Sequence, residues 1–182
     1  MMTAMSDWSS ALERRIKERT AQVAVVGMGY VGPSLAVELG RAGLTVRGID
    51  LDLERVNRLD RGESYLVDVP SDALGPLVTT GILTVTTTFD QAGAVGVIII
   101  CVPTPLRKSK EPDISFILSA LENLLPHLCQ GQLMVLESTT YPGTTEEAIR
   151  PRLEARGLVI GADFFLAFSP ERVEGARAKR AC

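Results

Sequence analysis

The stretch that decides the fold is residues 22–50, QVAVVGMGYVGPSLAVELGRAGLTVRGID. Residues 22–26 are a short, apolar, β-branched run, which predicts a buried strand. Apolar residues then recur at helical spacing from Val31 until Gly43 ends the helix. A second apolar run, 44–49, predicts another strand that stops at Asp50. The order strand, glycine loop, helix, strand and acid is typical of a doubly wound α/β fold.

The glycine loop, GMGYVG, occupies residues 27–32. Gly27 permits a tight turn out of the strand, Gly29 lets the backbone approach a pyrophosphate, and Gly32 lets the helix pack on the sheet. The start of the helix offers unpaired N–H groups and the positive end of its dipole to phosphates. The loop in this context therefore predicts dinucleotide binding, although a glycine turn kept only for packing is the alternative.

Asp50 follows Gly32 by eighteen residues and ends the second strand. A carboxylate there can accept hydrogen bonds from the adenosine ribose hydroxyls and would repel a 2′-phosphate, which favours NAD over NADP. Two nearby cations, Arg47 and Arg55, leave that preference open. FAD uses similar loops, but the residues further along the chain disfavour it.

Composition excludes several other classes. The 182 residues suffice for one well-buried domain, and 46% of them are hydrophobic. A net charge of −3 gives no basic footprint for nucleic acid. No apolar run approaches the roughly 18 residues that cross a membrane, and the first residues lack an apolar signal core, so we expect a cytoplasmic location.

The few cysteines and the single histidine limit the chemistry. Cys101, Cys129 and Cys182 are widely spaced and odd in number, which indicates neither a disulfide framework nor a zinc site. His127 is the only histidine, so neither a Ser-His-Asp triad nor a His-rich metal site is expected. Cys101 lies in an apolar run, which predicts an inert core thiol.

The remaining chain predicts alternating helices and strands. Residues 6–20 carry Trp8, Leu12 and Ile16 four apart, which indicates an amphipathic helix that packs on the domain rather than binding a specific partner. Asp113 is a candidate N-cap for the helix that follows it. The further elements expected are helices over 53–59, 71–78, 113–125 and 145–154, and strands over 82–86, 95–102, 132–136 and 164–168.

We therefore predict a Rossmann-type, doubly wound, mostly parallel six-stranded sheet with helices on both faces. It would occupy residues 21–173, between an N-terminal helical extension (1–20) and a tail (174–182). Four sites should converge at one sheet edge: the glycine loop, Thr104, Ser138 with Thr139, and Glu171 with Arg172. Thr104 either offers a hydroxyl to the cofactor or lies in a turn that the flanking prolines merely stiffen.

Six motifs in order, GMGYVG, Asp50, CVPTP, EPDIS, ESTTYPGTT and FSPERV, resemble the UDP-glucose/GDP-mannose dehydrogenase family. The resemblance covers residues 11–173 of the N-terminal NAD-binding domain. SYLVDVP and the long ESTTYPGTTEE stretch look most like the UDP-N-acetylglucosamine and UDP-N-acetylmannosamine 6-dehydrogenase branch. The family oxidises the C6 alcohol of a nucleotide sugar to a carboxylate with two NAD, through an intermediate on a cysteine.

The resemblance also implies roles for individual residues. Thr139 resembles a catalytic threonine near the nicotinamide and a water, and Glu171 resembles the catalytic glutamate that handles protons. Glu171, Arg172 and Val173 would contact the sugar nucleotide. The positions that would contact NAD are Gly27, Met28, Gly29, Tyr30, Val31, Gly32, Asp50, Arg55, Thr104, Ser138 and Thr139.

This sequence also departs from the family pattern. Pro33 stands one place earlier than the family's proline, and the alignment of Glu174 is open. The family's nucleophilic cysteine, lysine and asparagine lie in a middle domain, as do its main dimer contacts, so Cys182 falls too early to be the nucleophile. We expect this chain to bind NAD without completing the oxidation of a UDP-sugar alone. The alternatives are a non-catalytic NAD-binding or partner module and, less favoured, a β-hydroxyacid dehydrogenase.

Overall fold

A computed structural model describes residues 8–107 and 112–170. Six strands form one sheet in the order β3-β2-β1-β4-β5-β6, and every neighbouring pair is parallel. The strands are β1 (Gln22–Val26), β2 (Thr45–Ile49), β3 (Leu83–Thr86), β4 (Val97–Ile100), β5 (Gln132–Leu136) and β6 (Phe164–Phe168). The predicted doubly wound fold is confirmed, with a sheet that is wholly parallel.

Helices connect these strands. They are α1 (Trp8–Lys17), α2 (Val31–Arg41), α3 (Leu53–Asp60), α4 (Ser71–Thr79), α5 (Ser115–Leu124) and α6 (Arg150–Ala155). Short 3-10 turns cover Asp90–Ala94 and Leu125–His127, and a π-helical segment covers Thr144–Ile149. Gly43 follows the end of α2 with φ +90°, a conformation that glycine adopts without strain, so its predicted role as helix stop is confirmed.

The core has two parts, one on each face of the sheet. Val23 and Val25 of β1 belong to one cluster, which α2 and α4 cover, whereas Ala24 and Val26 belong to the other, which α5 covers. All four residues of β4 are buried, as in a strand that is packed on both faces. Burial on both faces explains why the predicted strand shows no alternation of apolar and polar residues. The observed β4 is shorter than the strand predicted over 95–102.

The N-terminal helix α1 lies against the amino-terminal ends of β4 and β5. Leu12 is buried beside Gly96, and the Trp8 ring covers Gly131 so closely that a Cβ there would lie 2.6 Å from Trp8 Cε3. Ile16 remains 38% exposed. The predicted apolar stripe of α1 is therefore only partly buried.

Two local predictions were wrong in detail. Ile114, not Asp113, occupies the N-cap position of α5; Asp113 lies one residue earlier and its Oδ1 accepts a hydrogen bond from the Ser115 N–H at 3.0 Å. The helix expected over 145–154 begins as the π-helical segment. Pro151 cannot donate to the Glu147 carbonyl and its ring crowds that oxygen, so a wider turn before it avoids the clash.

Several predicted residues lie outside the described residues. These are the catalytic and substrate-binding candidates Glu171, Arg172 and Val173 and the tail 174–182. Across residues 8–107 and 112–170, every helix is too short or too polar to span a membrane.

Candidate functional site

The three glycines of the loop differ in their steric surroundings. Gly27 has φ +96°, and a Cβ there would lie 2.8 Å from the Cys101 carbonyl oxygen. A Cβ on Gly32 would lie 2.0 Å from the Gly27 carbonyl oxygen, so only glycine lets α2 begin so close to the loop. A Cβ on Gly29 would meet nothing within 4 Å. Gly27 and Gly32 are thus required by the fold itself, whereas the backbone of Gly29 faces open space.

Asp50 is bonded directly to the glycine loop. Its Oδ2 accepts a hydrogen bond from the Met28 N–H at 2.7 Å, and its Oδ1 accepts one from the Asp52 N–H at 2.9 Å. The side chain is only 11% exposed. Because each carboxylate oxygen has a further lone pair, Asp50 can still accept hydrogen bonds from a diol.

The two nearby arginines occupy different surroundings. Arg55 Nη1 lies 3.5 Å from Asp50 Oδ2, and its Nε lies 3.3 Å from Asp52 Oδ2. Arg47 instead donates hydrogen bonds to the side chains of Gln22, at 3.0 Å, and Gln91. Arg55 therefore belongs to the site, whereas the guanidinium of Arg47 is engaged elsewhere.

Two cavities flank the loop at the carboxyl ends of the strands. The smaller, about 250 Å³, is lined by Asp50 together with apolar side chains such as Phe89 and Phe116. The larger, about 450 Å³, extends over the ends of β4 and β5. Both cavities are lined in part by Arg55, Val102 and Pro103, so they adjoin each other and together form a groove. The larger is lined by Gly29, Tyr30, Val31, Arg55, Tyr65, Leu66, Cys101, Val102, Pro103, Thr104, Glu137, Ser138 and Thr139.

The predicted hydroxyl residues meet in the larger cavity. Thr104 follows β4 and is half-buried, whereas Thr139, after β5, is exposed. Ser138 is buried, and its hydroxyl donates to the Val102 carbonyl at 2.7 Å. Ser138 thus joins the ends of two neighbouring strands, and Thr104 and Thr139 present their side chains at the same edge.

Six residues that line this cavity were not predicted as site residues; they are Tyr65, Leu66, Cys101, Val102, Pro103 and Glu137. The Tyr65 hydroxyl donates to the Met28 carbonyl, and the Tyr30 hydroxyl donates to the Asp68 carboxylate. The segment 64–68 is therefore tied to the glycine loop at two points. The available signal was the SYLVDVP motif over residues 64–70, which carried the family resemblance but no predicted site residue.

The environment of Tyr65 changes its acidity. Burial, reinforced by the negative charge of Asp50, raises the pKa of Tyr65 to about 12. The phenol therefore remains protonated, and able to donate to the Met28 carbonyl, throughout the neutral range.

Cys101 departs from its prediction in one respect. It is buried, as an inert core thiol would be, but it lies one residue beyond β4 and its Sγ is 3.5 Å from Glu137 Oε2. Among the described residues, no group of three His, Cys, Asp or Glu side chains is arranged to hold a metal ion.

The groove offers groups that can bind the parts of a dinucleotide. The first turn of α2 has no side-chain cap, so its N–H groups can serve phosphates that approach over Gly29. Asp50 on one side suits a ribose diol, and the hydroxyl-rich cavity on the other side can accommodate the second nucleotide half.

Comparison with known proteins places this geometry in a family. Residues 21–180 match the UDP-glucose/GDP-mannose dehydrogenase family, NAD binding domain. The chain is 39% identical over 153 residues to the UDP-N-acetyl-D-glucosamine 6-dehydrogenase of Pseudomonas aeruginosa, a match that covers 84% of this chain and 35% of that protein. It is 34% identical over 157 residues to the UDP-N-acetyl-D-mannosamine dehydrogenase of Pyrococcus horikoshii, covering 86% and 37%.

Solved structures agree. The UDP-N-acetyl-mannosamine dehydrogenase Cap5O from Staphylococcus aureus superposes with a TM-score of 0.79 at 32% identity, over 85% of this chain and 37% of that chain. The match thus spans little more than a third of each of these relatives. From the match over residues 21–180 and the glycine loop with its acid, the chain belongs to the UDP-glucose/GDP-mannose dehydrogenase family and carries that family's NAD-binding domain.

Proposed function

We propose that this chain is the NAD-binding part of a nucleotide-sugar 6-dehydrogenase that oxidises the C6 alcohol of a UDP-sugar to the uronic acid. The names of the two sequence relatives described above favour a UDP-N-acetylhexosamine as the sugar. The chain alone is proposed to be incomplete for catalysis, since the match covers about 35% of the first of these relatives.

The observation that carries the cofactor assignment is the bond between Asp50 and the Met28 N–H. It fixes the carboxylate against the glycine loop, in the lining of the smaller cavity. The smaller cavity takes the adenosine half, the half-buried backbone at Gly29 takes the pyrophosphate, and the larger cavity takes the nicotinamide. NAD itself supplies the hydride acceptor.

The proposed residue roles follow this placement. Asp50 accepts hydrogen bonds from the adenosine ribose, and Arg55 lies beside it, where its guanidinium can also approach the cofactor. Thr104 and Thr139 offer hydroxyls at the nicotinamide end, with Thr139 the candidate catalytic group within the described residues. Ser138 positions the strand ends through its bond to the Val102 carbonyl. The roles that the resemblance implies for Glu171 with Arg172 and Val173 stay predictions.

Titration calorimetry with NAD and NADP tests the cofactor assignment. The unsubstituted chain should bind NAD and discriminate against NADP. Asp50→Asn removes the charge while keeping the side-chain shape, and loss of charged hydrogen bonds worth about 1.5–3 kcal/mol should weaken NAD binding roughly tenfold to a hundredfold. Asp60→Asn, an exposed change at the end of α3, is the matched control and should bind NAD normally. Equal binding of NAD and NADP by the unsubstituted chain would contradict the role of Asp50.

The absorbance of NADH tests whether the chain alone is incomplete for catalysis. The purified chain, mixed with NAD and either UDP-N-acetylglucosamine or UDP-N-acetylmannosamine, should form no NADH. A chimera in which residues 21–168 replace the matching part of the Pseudomonas aeruginosa relative should form NADH. Turnover by the 182-residue chain itself would overturn the proposed incompleteness.

A non-catalytic NAD-binding module is the second candidate, and the partial coverage of the relatives is the observation that favours it. A chimera that binds NAD yet forms no NADH would support this candidate over the dehydrogenase. The cytoplasmic location and a homodimer through further domains stay predictions from the sequence.

A further inference from the structure

A tyrosine that the cofactor assignment does not use reaches the glycine loop from a distant segment. The Tyr65 hydroxyl donates to the Met28 carbonyl. The N–H of the same residue, Met28, donates to Asp50 Oδ2 at 2.7 Å. Because Met28 is fully buried, its backbone groups depend on these two side chains rather than on water. The middle of the loop is therefore clamped between two other segments of the chain.

Tyr65 is itself held in place by its surroundings. It is half-buried and packs against the core cluster that contains Val25 and Leu74. The Arg58 guanidinium lies 5.5 Å from the centre of the Tyr65 ring, and Arg58 Nη2 donates to the Ser64 carbonyl at 3.0 Å. Burial raises the pKa of Tyr65, so the phenol keeps its proton at neutral pH. A fixed and protonated donor thus reaches the loop.

Gly29, which follows the clamped residue, has few restraints of its own. A Cβ there would meet nothing within 4 Å, and among the described residues the Gly29 N–H has no acceptor. Glycine also tolerates the widest range of backbone dihedrals. Because the Met28–Gly29 peptide is trans and planar, a bond to the Met28 carbonyl also fixes the direction of the Gly29 N–H. Without the Tyr65 hydroxyl, this peptide plane is free to turn.

The pyrophosphate of the cofactor passes over Gly29, a step that rests on the proposed function. We propose that Tyr65 is a positioning residue of the cofactor site, whose bond to the Met28 carbonyl holds the glycine loop in its phosphate-binding conformation before the cofactor arrives. Fixing the backbone of one residue costs a free energy that corresponds to about fivefold to thirtyfold in affinity. Tyr65 places this cost in folding, so that it does not weaken the binding of NAD.

Titration calorimetry of the full chain with NAD and ADP-ribose tests the proposal. Tyr65→Phe keeps the ring and removes the hydroxyl, and NAD affinity should fall about fivefold to thirtyfold. ADP-ribose carries the pyrophosphate but lacks the nicotinamide, so its affinity should fall by the same factor. Thermal unfolding gives the temperature below which both chains are folded, and the titrations are made there.

The NMR order parameter of the Gly29 amide separates positioning from a general loss of stability. In the free chain it should fall from about 0.85 toward about 0.6 in Tyr65→Phe, and bound NAD should restore it. Tyr141→Phe removes the hydroxyl of an exposed tyrosine, and Leu12→Ala removes buried contacts of α1. Both control variants should keep the affinities and the Gly29 order parameter of the unsubstituted chain, although Leu12→Ala is less stable.

Unchanged affinities for both ligands in folded Tyr65→Phe would overturn this inference while leaving the proposed function intact. Weaker binding of both ligands with an unchanged Gly29 order parameter would also overturn it. So would weaker binding of NAD with normal binding of ADP-ribose, because Tyr65 would then act on the nicotinamide end directly. Failure of the unsubstituted chain to bind NAD and ADP-ribose would instead overturn the proposed function, and this inference with it.

Discussion

At the scale of single residues, Gly29 and Gly32 lie three positions apart in different surroundings. Gly32→Ala would place a Cβ 2.0 Å from a backbone oxygen, so we expect a loss of at least about 2 kcal/mol in the free energy of unfolding. Gly29→Ala meets open space and should leave stability nearly unchanged. Its methyl group would occupy the proposed pyrophosphate path, so NAD affinity should fall about tenfold or more, since overfilling a close contact costs about 1–3 kcal/mol.

Thermal unfolding and NAD titration of the two variants measure both effects, each variant serving as the control for the other. Normal NAD binding by Gly29→Ala would show that the phosphates do not pass over this residue.

The phenol of Tyr65 predicts a dependence of stability on pH. Its pKa is raised to about 12 in the folded chain from an ordinary value near 10. The unfolded chain therefore releases this proton first, and the free energy of unfolding should fall as the pH rises from about 10 to about 12. The stabilisation is fully present below pH 10.

Tyr65→Phe should lose this part of the pH dependence. At neutral pH it should also be less stable by about 1–2 kcal/mol, because the buried Met28 carbonyl loses its donor. Denaturant unfolding between pH 8 and 12 compares the two chains, with the exposed Tyr141→Phe as control. If the free energy of unfolding depended on pH in the same way for the unsubstituted chain and for Tyr65→Phe, the raised pKa of Tyr65 would be refuted.

The candidate site was predictable where chemistry depends on local sequence. The spacing of the glycines and the acid at the end of β2 could be recognised in the sequence because both follow from the geometry of one strand-helix-strand unit. Tyr65 and Glu137 were not predicted, since their approach to Met28 and Cys101 depends on contacts across 37 and 36 residues. Only the folded sheet brings those segments together.

At the scale of elements, we expect substitutions in α1 to change the free energy of unfolding without changing NAD affinity. Leu12 is buried beside β4, so Leu12→Ala should cost about 2–3 kcal/mol. Ile16→Ala, at a site 38% exposed, is the control and should cost less than about 1 kcal/mol. Neither change should alter NAD affinity, because α1 packs at the edge of the sheet opposite the site.

Denaturant unfolding and calorimetry supply the two measurements. A weaker NAD affinity in a folded Leu12→Ala variant would show that α1 does more than pack.

Helices and strands were predicted well where the spacing of apolar residues distinguishes one from the other. Their first and last residues were predicted less well. The apolar runs of β1 and β4 are unambiguous because both faces of these strands are buried. The π-helical start at Thr144 could not be read from the period, since it arises from the proline at 151 acting on the turn before it. The cap of α5 was misplaced by one residue because Asp113 bonds to Ser115 from outside the helix.

At the scale of the whole molecule, the strand order predicts a gradient of protection from hydrogen exchange. β1 and β4 are paired along both edges, whereas β3 and β6 are the outer strands. The amides of β1 should therefore exchange at least about tenfold more slowly than those of β6, provided that the edges open locally. Exchange followed by NMR measures this, and equal rates in β1 and β6 would mean that the sheet opens only as one unit.

The overall architecture followed from the sequence because one βαβ unit with its glycine loop restricts the connections that can follow it. Handedness and parallel pairing come with that unit. The position of α1 at the amino-terminal ends of β4 and β5 could not be predicted from the sequence. Its apolar stripe indicates that one face of the helix is buried, but not which strands cover that face.

The central position of β1 also affects the chain as it is synthesised. β1 is complete at Val26, and β2 can pair with one edge once residue 49 has been made, but the partner for its other edge, β4, begins only at Val97. A nascent chain thus carries a β-branched strand with an open edge while about seventy further residues are added. Open strand edges recruit other chains, so a chaperone that shields this edge on the ribosome should increase the yield of folded protein.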